Sequence, residues 1–452
     1  MKTKNKRIDI LENEKVPKAL LKLGLPIMAG MIITAAYNVV DAYFVGKLGT
    51  SQMAAVSVVF PIGTVLLGIG LLFGAGAASY LSRLLGGKNY EEANRCASTA
   101  LFSSLITGGI IIILSLIFLT PLLRLLGATE TIMPFSKEYA VIFIAGLIIN
   151  LFNITTNNII TAEGATNISM MAMGLGCILN IILDPILILA LGLGVRGAAI
   201  ATLISRSVTA VIYLFYILGS KSVFHFRFKH FTVKASLYSE ILKMGMPMLI
   251  FQLLTSLSLS LTNSLASSFG DSAIAALGVV TRIMALWSMS IFGFLKGFTP
   301  FAGFNYGAGK MDRVKEAIKT SVVWSTIFCF IVSAIMIIFS RQIISWFAKS
   351  DPAAISIGTK ALTANAITFL VFGFTAVYSN LFIGLGRAKE GGIISITRQG
   401  VFFIPTIFIL KYAAGLNGMI LTQPVADILT AILLVVLIKT SGVKKILNKS
   451  NT

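Results

Sequence analysis

Apolar residues in this chain fall in long unbroken blocks, not in the alternating or every-third-residue patterns of a soluble fold. A helix needs about 20 apolar residues to cross the hydrocarbon of a bilayer. Twelve blocks reach that length, centred near residues 30, 64, 107, 148, 179, 208, 254, 287, 328, 369, 402 and 428. Their continuity argues against the two-residue alternation of a membrane barrel. The pattern predicts an all-α integral membrane protein, because each spanning helix satisfies its own backbone groups.

The same pattern repeats. "LKLGLPIMAGMIITAAYNVVDAYFVGKLGTSQMAAVSVVFPI" from Leu21 aligns without gaps on "LKMGMPMLIFQLLTSLSLSLTNSLASSFGDSAIAALGVVTRI" from Leu242. Under this constant shift Lys22, Gly24, Pro26, Thr34, Gly49 and Ser51 meet identical residues, and further on Gly76, Gly86, Gly194 and Gly197 meet glycines. Apolar bias does not align glycines and a proline in one register. The chain therefore divides into an N-terminal segment (1–15), a first six-span bundle (16–219), a basic loop (220–237), a second bundle (238–440) and a tail (441–452). Six is even, so both bundles start on the same side and the repeats are parallel. In such proteins substrate sites lie between the halves near midplane.

Composition sharpens this picture. Of 452 residues 56% are hydrophobic and 12% charged, against about 25% charged in soluble domains. The net charge of +20 would suit nucleic acid, but its placement does not. Lys and Arg concentrate in "MKTKNKR", "RLLGGKNYEEANR", "GSKSVFHFRFKHFTVK", "GKMDRVKEAIK", "GRAKE" and "KKILNK", all on one side of the predicted topology. The positive-inside rule makes that side cytoplasmic, so both termini are expected in the cytoplasm of a cell whose plasma (inner) membrane holds the protein. The partners expected are a lipid bilayer and small molecules, with no nucleic acid. No removable signal peptide is read at the N-terminus. Cys96, Cys177 and Cys329 have no metal or redox spacing and read as core filling.

Within the apolar blocks a few polar residues stand out, and polar groups in hydrocarbon are costly enough to mark function. Asn180 and Asp184, four apart in "ILNIILDPILILA", share one face of the fifth span. Pro185 frees the carbonyl of Ile181 beside them. On the first span Thr34, Asn38 and Asp41 form a stripe, with Tyr37 a turn before Asp41, and Thr202 reaches a similar depth on the sixth. Two carboxylates, an amide and a hydroxyl from three helices therefore meet at one level, a donor set for a proton or a sodium ion. A wetted helix end before "VGKLG" is the competing reading of Asp41. Asn150, Asn153, Asn157 and Thr161 form a stripe on the fourth span, with Tyr139 at its outer end. One asparagine there is ordinarily glue between helices; four are read as facing a wet cavity. Pro26 either bends the first span or sits in its first turn, depending on whether the helix starts at Val16 or Leu20.

The second half has Thr262 where the repeat would place Asp41, and Pro405 followed by Thr406 where it would place Asp184 and Pro185, so it is expected to act mainly as a wall. Its in-span charges are Arg282, Lys296, Arg398 and Asp427. Arg282 is expected to neutralise Asp427, the alternative being a gate facing Asp41 across the cleft. No catalytic constellation is present: the two histidines, His225 and His230, lie in the basic loop, and neither a nucleophile with its base nor a phosphate-cradling loop occurs.

The pieces "LGLP", "DAYFVGKLG", "GAASYLSRLLGGKNY", "LNIILDPIL" and "ALGVVTRI" together resemble the multidrug and toxic compound extrusion (MATE) family, in its prokaryotic DinF-like branch. The likeness covers essentially the whole chain. It implies a monomeric antiporter, not an enzyme, that exports organic cations or other amphipathic drugs by alternating access as Na+ or H+ enters, with no cofactor. It places the cation site on Asp41, Asn180, Asp184 and Thr202, with Tyr139 and Asn157 in the surrounding network and Pro26 as the bending point. Tyr37, Asn38, Asn153 and Arg282 are read as further substrate or network residues. A flippase for a lipid-linked substrate, of the same superfamily, is the alternative. Its anionic cargo would call for a cleft lined with Arg and Lys, whereas the clearest cluster here is acidic.

Overall fold

The computed structural model describes residues 2–219, 222–347 and 351–440, with the side chains of residues 2–6, 39, 42, 50 and 271 outside that description. The tail expected over 441–452 lies outside the described residues. The N-terminal half holds α1 (Lys2–Glu12), α2 (Val16–Gly46), α3 (Thr50–Gly86), α4 (Tyr90–Ile117), α5 (Leu119–Leu125), α6 (Met133–Ala162), α7 (Thr166–Asp184) and α8 (Gly194–Leu218). The C-terminal half holds α9 (Ala235–Ala266), α10 (Asp271–Gly307), α11 (Met311–Ile338) and α12 (Ser340–Phe347). It continues with α13 (Pro352–Gly384), α14 (Ala388–Ile396) and α15 (Phe403–Thr440). No strand occurs among the described residues.

Eleven helices are long and apolar enough to cross a membrane, and the last, Ala388–Thr440, runs for 53 residues. It breaks at Gly415, whose φ of 57° and ψ of −131° are not helical. That break separates the eleventh span from the twelfth. The repeat mate of Gly415 is Gly194, with φ 55°, at the corresponding turn between spans five and six. Only glycine takes this left-handed backbone without strain, which explains why the repeat keeps it. The two glycines that follow, Gly197 and Gly418, lie so close to the preceding span that a Cβ would sit 2.5 Å from Leu187 O and 1.8 Å from Leu410 O.

Three further pairs of repeat glycines line the seam between the bundles. A Cβ on Gly24 would meet Phe294, and one on its mate Gly245 would lie 1.8 Å from Leu72 O. A Cβ on Gly76 would lie 2.3 Å from Ile241 O, and one on its mate Gly297 would lie 2.5 Å from the Leu23 carbonyl carbon. A Cβ on Gly86 would lie 2.0 Å from Phe304 O, and one on Gly307 would lie 2.2 Å from Arg83 O. So α2 crosses α10 as α9 crosses α3, two pseudo-symmetric contacts of nearly bare backbone, the close approach that small residues allow between membrane helices.

All these seam contacts fall in the half of the molecule nearest the termini. Among the described residues, the hydrogen bonds and ion pairs between the halves do too. Ser79 Oγ donates to Ile383 O (2.5 Å), and Arg83 pairs with Glu240 (3.3 Å). The N-terminal helix adds to the closure: Asn305 Nδ2 donates to Leu11 O (3.1 Å), Arg313 Nη2 to Glu14 O (2.8 Å), and Lys310 pairs with Glu12 (3.2 Å). The molecule is closed at its terminal face.

Pro26 lies inside α2, ten residues beyond Val16, so the first-turn reading is set aside. Its missing N–H leaves Lys22 O without a helical partner, and Thr166 Oγ1 at the start of α7 donates to that oxygen at 3.3 Å. The proline site of the first span is thereby tied to the helix that carries Asp184.

Candidate ion and substrate site

Helix α7 ends at Asp184, and the chain continues as a wider π turn over Pro185–Ala190, the kind of local unwinding often found at functional sites. Asp184 is fully buried. Oriented by its partners, the Asn180 amide donates to Asp184 Oδ2 (3.0 Å) and accepts from Thr202 N on α8 (3.1 Å). Thr202 is thus joined to the cluster through its backbone, and its side chain is buried beside it. The Asp41 carboxyl of α2 lies within hydrogen-bonding reach of the Asp184 carboxyl.

The electrostatics of this pair decide its chemistry. Asp184 Oδ1 is buried and has no hydrogen-bond partner, while the Asp41 carboxyl lies beside the Asp184 carboxyl. Two ionised carboxylates at that separation repel and leave the oxygen unsatisfied. One proton between them, or one small cation, satisfies both. Tyr37 and Tyr139 sit within the electrostatic reach of both aspartates and of Arg206. Arg206 of α8 lies close enough to act on Asp41 and stacks over Phe143 at 5.5 Å. Phe143 in turn stacks on Tyr139 (5.1 Å). The acidic pair therefore has a fixed counter-charge within its own bundle.

Of the polar stripe of α6, Asn153, Asn157 and Thr161 are packed into the bundle, and Asn150 is half-exposed. Asn153 Nδ2 donates to Arg206 O (2.8 Å) and Asn157 Nδ2 to Tyr213 Oη (2.7 Å), both reaching α8, while Asn158 bonds its own helix at Ile154 O (2.8 Å). Asn153 and Asn157 are 7% and 6% exposed. These are interhelical ties, and the wet-cavity reading of the stripe is corrected accordingly. Asn38 and Arg282 are exposed.

The second bundle holds a polar core that depth alone misassigned. Asp427 pairs with Arg398, not Arg282: Nε lies 2.8 Å from Oδ1, and Gln423 Nε2 donates to the same oxygen at 2.7 Å. Arg398 sits in a second π turn, Thr397–Val401, and stacks over Phe372 at 4.8 Å. Arg282 makes no ion pair among the described residues. It falls three helical turns from Gly293, and so on the same face of α10; Gly293 packs against Met28 of α2.

Sequence reasoning also passed over Glu163, in the three-residue link between α6 and α7. It is fully buried, accepts from Ser222 Oγ (2.9 Å), Val223 N (2.6 Å) and Tyr216 Oη, and Arg7 of α1 reaches Tyr216. A lone acid in an apolar link on the basic face was the available signal.

The MatE family model matches this chain twice, over residues 26–186 and 247–409. The two matches start 221 residues apart, the shift of the internal repeat. The chain belongs to the MatE family. Among curated relatives, the multidrug export protein MepA of Staphylococcus aureus (strain MRSA252) is 31% identical over 431 residues, covering 95% of each chain. Among solved structures, MATE in complex with MaL6 superposes with a TM-score of 0.91 at 29% identity, covering 97% of this chain and 99% of that one. An outward-facing multidrug resistance MATE family transporter of the MOP superfamily gives 0.90 at 28%, covering 97% and 98%. This MatE protein is a multi-pass membrane transporter and not an enzyme.

Proposed function

We propose that this transporter is a multidrug efflux antiporter in the plasma membrane. It works as a single chain and exports organic cations and other amphipathic drugs as H+ or Na+ enters. The observation that carries the reading is the Asp41–Asp184 pair, with a buried Asp184 oxygen that only a proton or cation satisfies. The termini are cytoplasmic on the placement of basic residues, so closure at the terminal face corresponds to an outward-facing state.

From outside, a proton shared by the two carboxyls, or a sodium ion held by Asp41, Asp184, Asn180 and Thr202, neutralises the acidic pair. Tyr37 and Tyr139 stand beside it. A cationic substrate held by that charge is released outward when the ion loads, since ion and substrate oppose each other's binding. Pro26 lets the lower part of α2 reorient, and the Thr166 bond to Lys22 O passes that movement to α7. The halves then rock, the terminal face opens and the ion leaves inward. Arg282, on the cleft-side face of α10, is the gate charge opposite the acidic pair.

The test is drug uptake into everted vesicles under an imposed proton or sodium gradient, one at a time. Asp184→Asn is expected to abolish ion-driven uptake while the protein still reaches the membrane. Ion-driven uptake at the wild-type rate would overturn the reading. Acidification or added sodium is also expected to displace a bound fluorescent cation, and the ion that does so identifies the coupling ion.

A further inference from the structure

Between α11 and α13 a lateral groove of about 330 Å³ is lined by Lys315, Ile318, Lys319, Val322, Val323 and Tyr378. Its residues are ordered by depth. The stretch 320–338 of α11 carries no charge and at helical rise covers about 28 Å, the thickness of the hydrocarbon layer. Lys319 therefore lies at the membrane boundary and Lys315 one turn outside it, on the same helix face. Val322 and Val323 continue the groove into the bilayer. Tyr378, whose hydroxyl has no hydrogen-bond partner among the described residues, stands on the facing helix where amphipathic rings concentrate.

The internal repeat shows what such a groove holds in the other half. Helices α4 and α11 are exact repeat mates in extent, and Asn94, Ser98 and Phe102 stand where α11 has Lys315, Lys319 and Val323. In the first half the basic loop fills the groove. His225 N donates to Asn94 Oδ1 (2.7 Å), Ser98 Oγ donates to His225 O (3.3 Å), and Phe102 meets Phe228 and Phe231 edge-on at 5.5 and 6.3 Å. In the second half the neutral docking residues are replaced by two ammonium groups. The segment in the loop's place in the repeat, 441–452, carries Lys444, Lys445 and Lys449 and no acid, so its charge opposes docking there. Lys315 has a neighbour in Asp312 at 3.3 Å, but Asp312 is 82% exposed, and so solvated a pair holds Lys315 only weakly. Lys319 makes no ion pair among the described residues.

We propose that this groove binds an anionic phospholipid of the inner leaflet. Lys315 and Lys319 hold the phosphate, the Tyr378 hydroxyl donates to the headgroup, and one acyl chain lies along Ile318, Val322 and Val323. Two basic residues above an apolar channel at the membrane boundary match that amphiphile. A free phosphate would leave the apolar part unused. The sidedness rests on the topology proposed above; the site itself does not depend on drug transport.

The test is native mass spectrometry of delipidated full-length protein titrated with phosphatidylglycerol or with phosphatidylcholine of the same acyl chains. Wild-type protein is expected to prefer phosphatidylglycerol at its first site by about thirtyfold. Lys315→Gln/Lys319→Gln removes the preference, Lys315→Arg/Lys319→Arg retains it, and Lys229→Gln/Lys234→Gln, an equal charge loss on the same face, leaves it intact. Matching melting temperatures establish that the variants fold. The proposal fails if the Lys315→Gln/Lys319→Gln protein keeps the preference, or if millimolar inorganic phosphate displaces the lipid. It also fails if removing residues 441–452 raises lipid binding tenfold, which would assign the groove to the tail.

Discussion

Glu163 and Asp184 are both fully buried acids, and the protein treats them in opposite ways. Glu163 is surrounded by donors, yet burial still raises its carboxyl above the ordinary value of 4.5. A raised acid pKa means that the folded state binds the proton more tightly than the unfolded chain. That contribution is full below the ordinary value and is lost as pH rises through the raised one. Mild acidification from neutrality is therefore expected to stabilise the wild-type protein more than Glu163→Gln, which carries no titrating group there. Melting midpoints at neutral and mildly acid pH compare the two; an identical pH response would exclude Glu163 as the source. Asp427 is a third case, an acid matched by Arg398. Asp427→Ala leaves that arginine without its carboxylate and is expected to destabilise the protein by about 3–5 kcal/mol, whereas Asp427→Ala with Arg398→Leu costs less. Thermal stability in detergent measures both, and equal losses would mean that the arginine is satisfied elsewhere.

At the scale of elements, what the sequence made legible was period and register. Apolar blocks marked the spans, and the repeated glycines marked positions where backbones meet. Proline at position 26 and the Asn180–Asp184 spacing located polar atoms on faces, because a helix fixes the angle between residues three and four apart. Neighbour choice was not legible. Arg398 and Asp427 pair because the end of α14 lies beside the last span, and a depth count along separate helices carries no such information. The asparagines of α6 likewise needed α8 in place before their partners appeared. The glycine seam gives a prediction at this scale. A side chain at Gly307 would collide with Arg83 O, a backbone atom that no rotamer change removes. Gly307→Val is expected to weaken the closed seam by about 1–3 kcal/mol, raising the population of states open at the terminal face by roughly five- to a hundredfold. Spin labels at Lys88 and Asp312, exposed on either side of the seam, should show a new long-distance component. An unchanged distance distribution would mean that the seam yields without opening.

For the whole molecule, the question is what holds one end shut while leaving it able to open. The bare-backbone crossings of α2 with α10 and α9 with α3 supply shape, and the second of them adds the Arg83–Glu240 ion pair, whose carboxylate is partly solvated. Further polar bonds are added by the N-terminal segment, which precedes the first bundle in sequence and binds the second. Arg313 is the centre of that attachment: it donates to Leu11 O and Glu14 O, bonds Asn305 Oδ1 at 2.9 Å and stacks on Phe301. Each such bond contributes about 0.5–1.5 kcal/mol net, so removing the guanidinium shifts the closed-to-open balance without touching the acidic pair. Arg313→Ala is therefore expected to lengthen the Lys88–Asp312 spin-label distance in a larger fraction of molecules. Displacement of a bound cation by the coupling ion should keep its midpoint in that fraction of molecules still closed at the terminal face. The two readouts separate the latch from the ion site. If Arg313→Ala instead altered the ion midpoint and left the distances alone, the helix would be acting on the acidic pair and not on the seam.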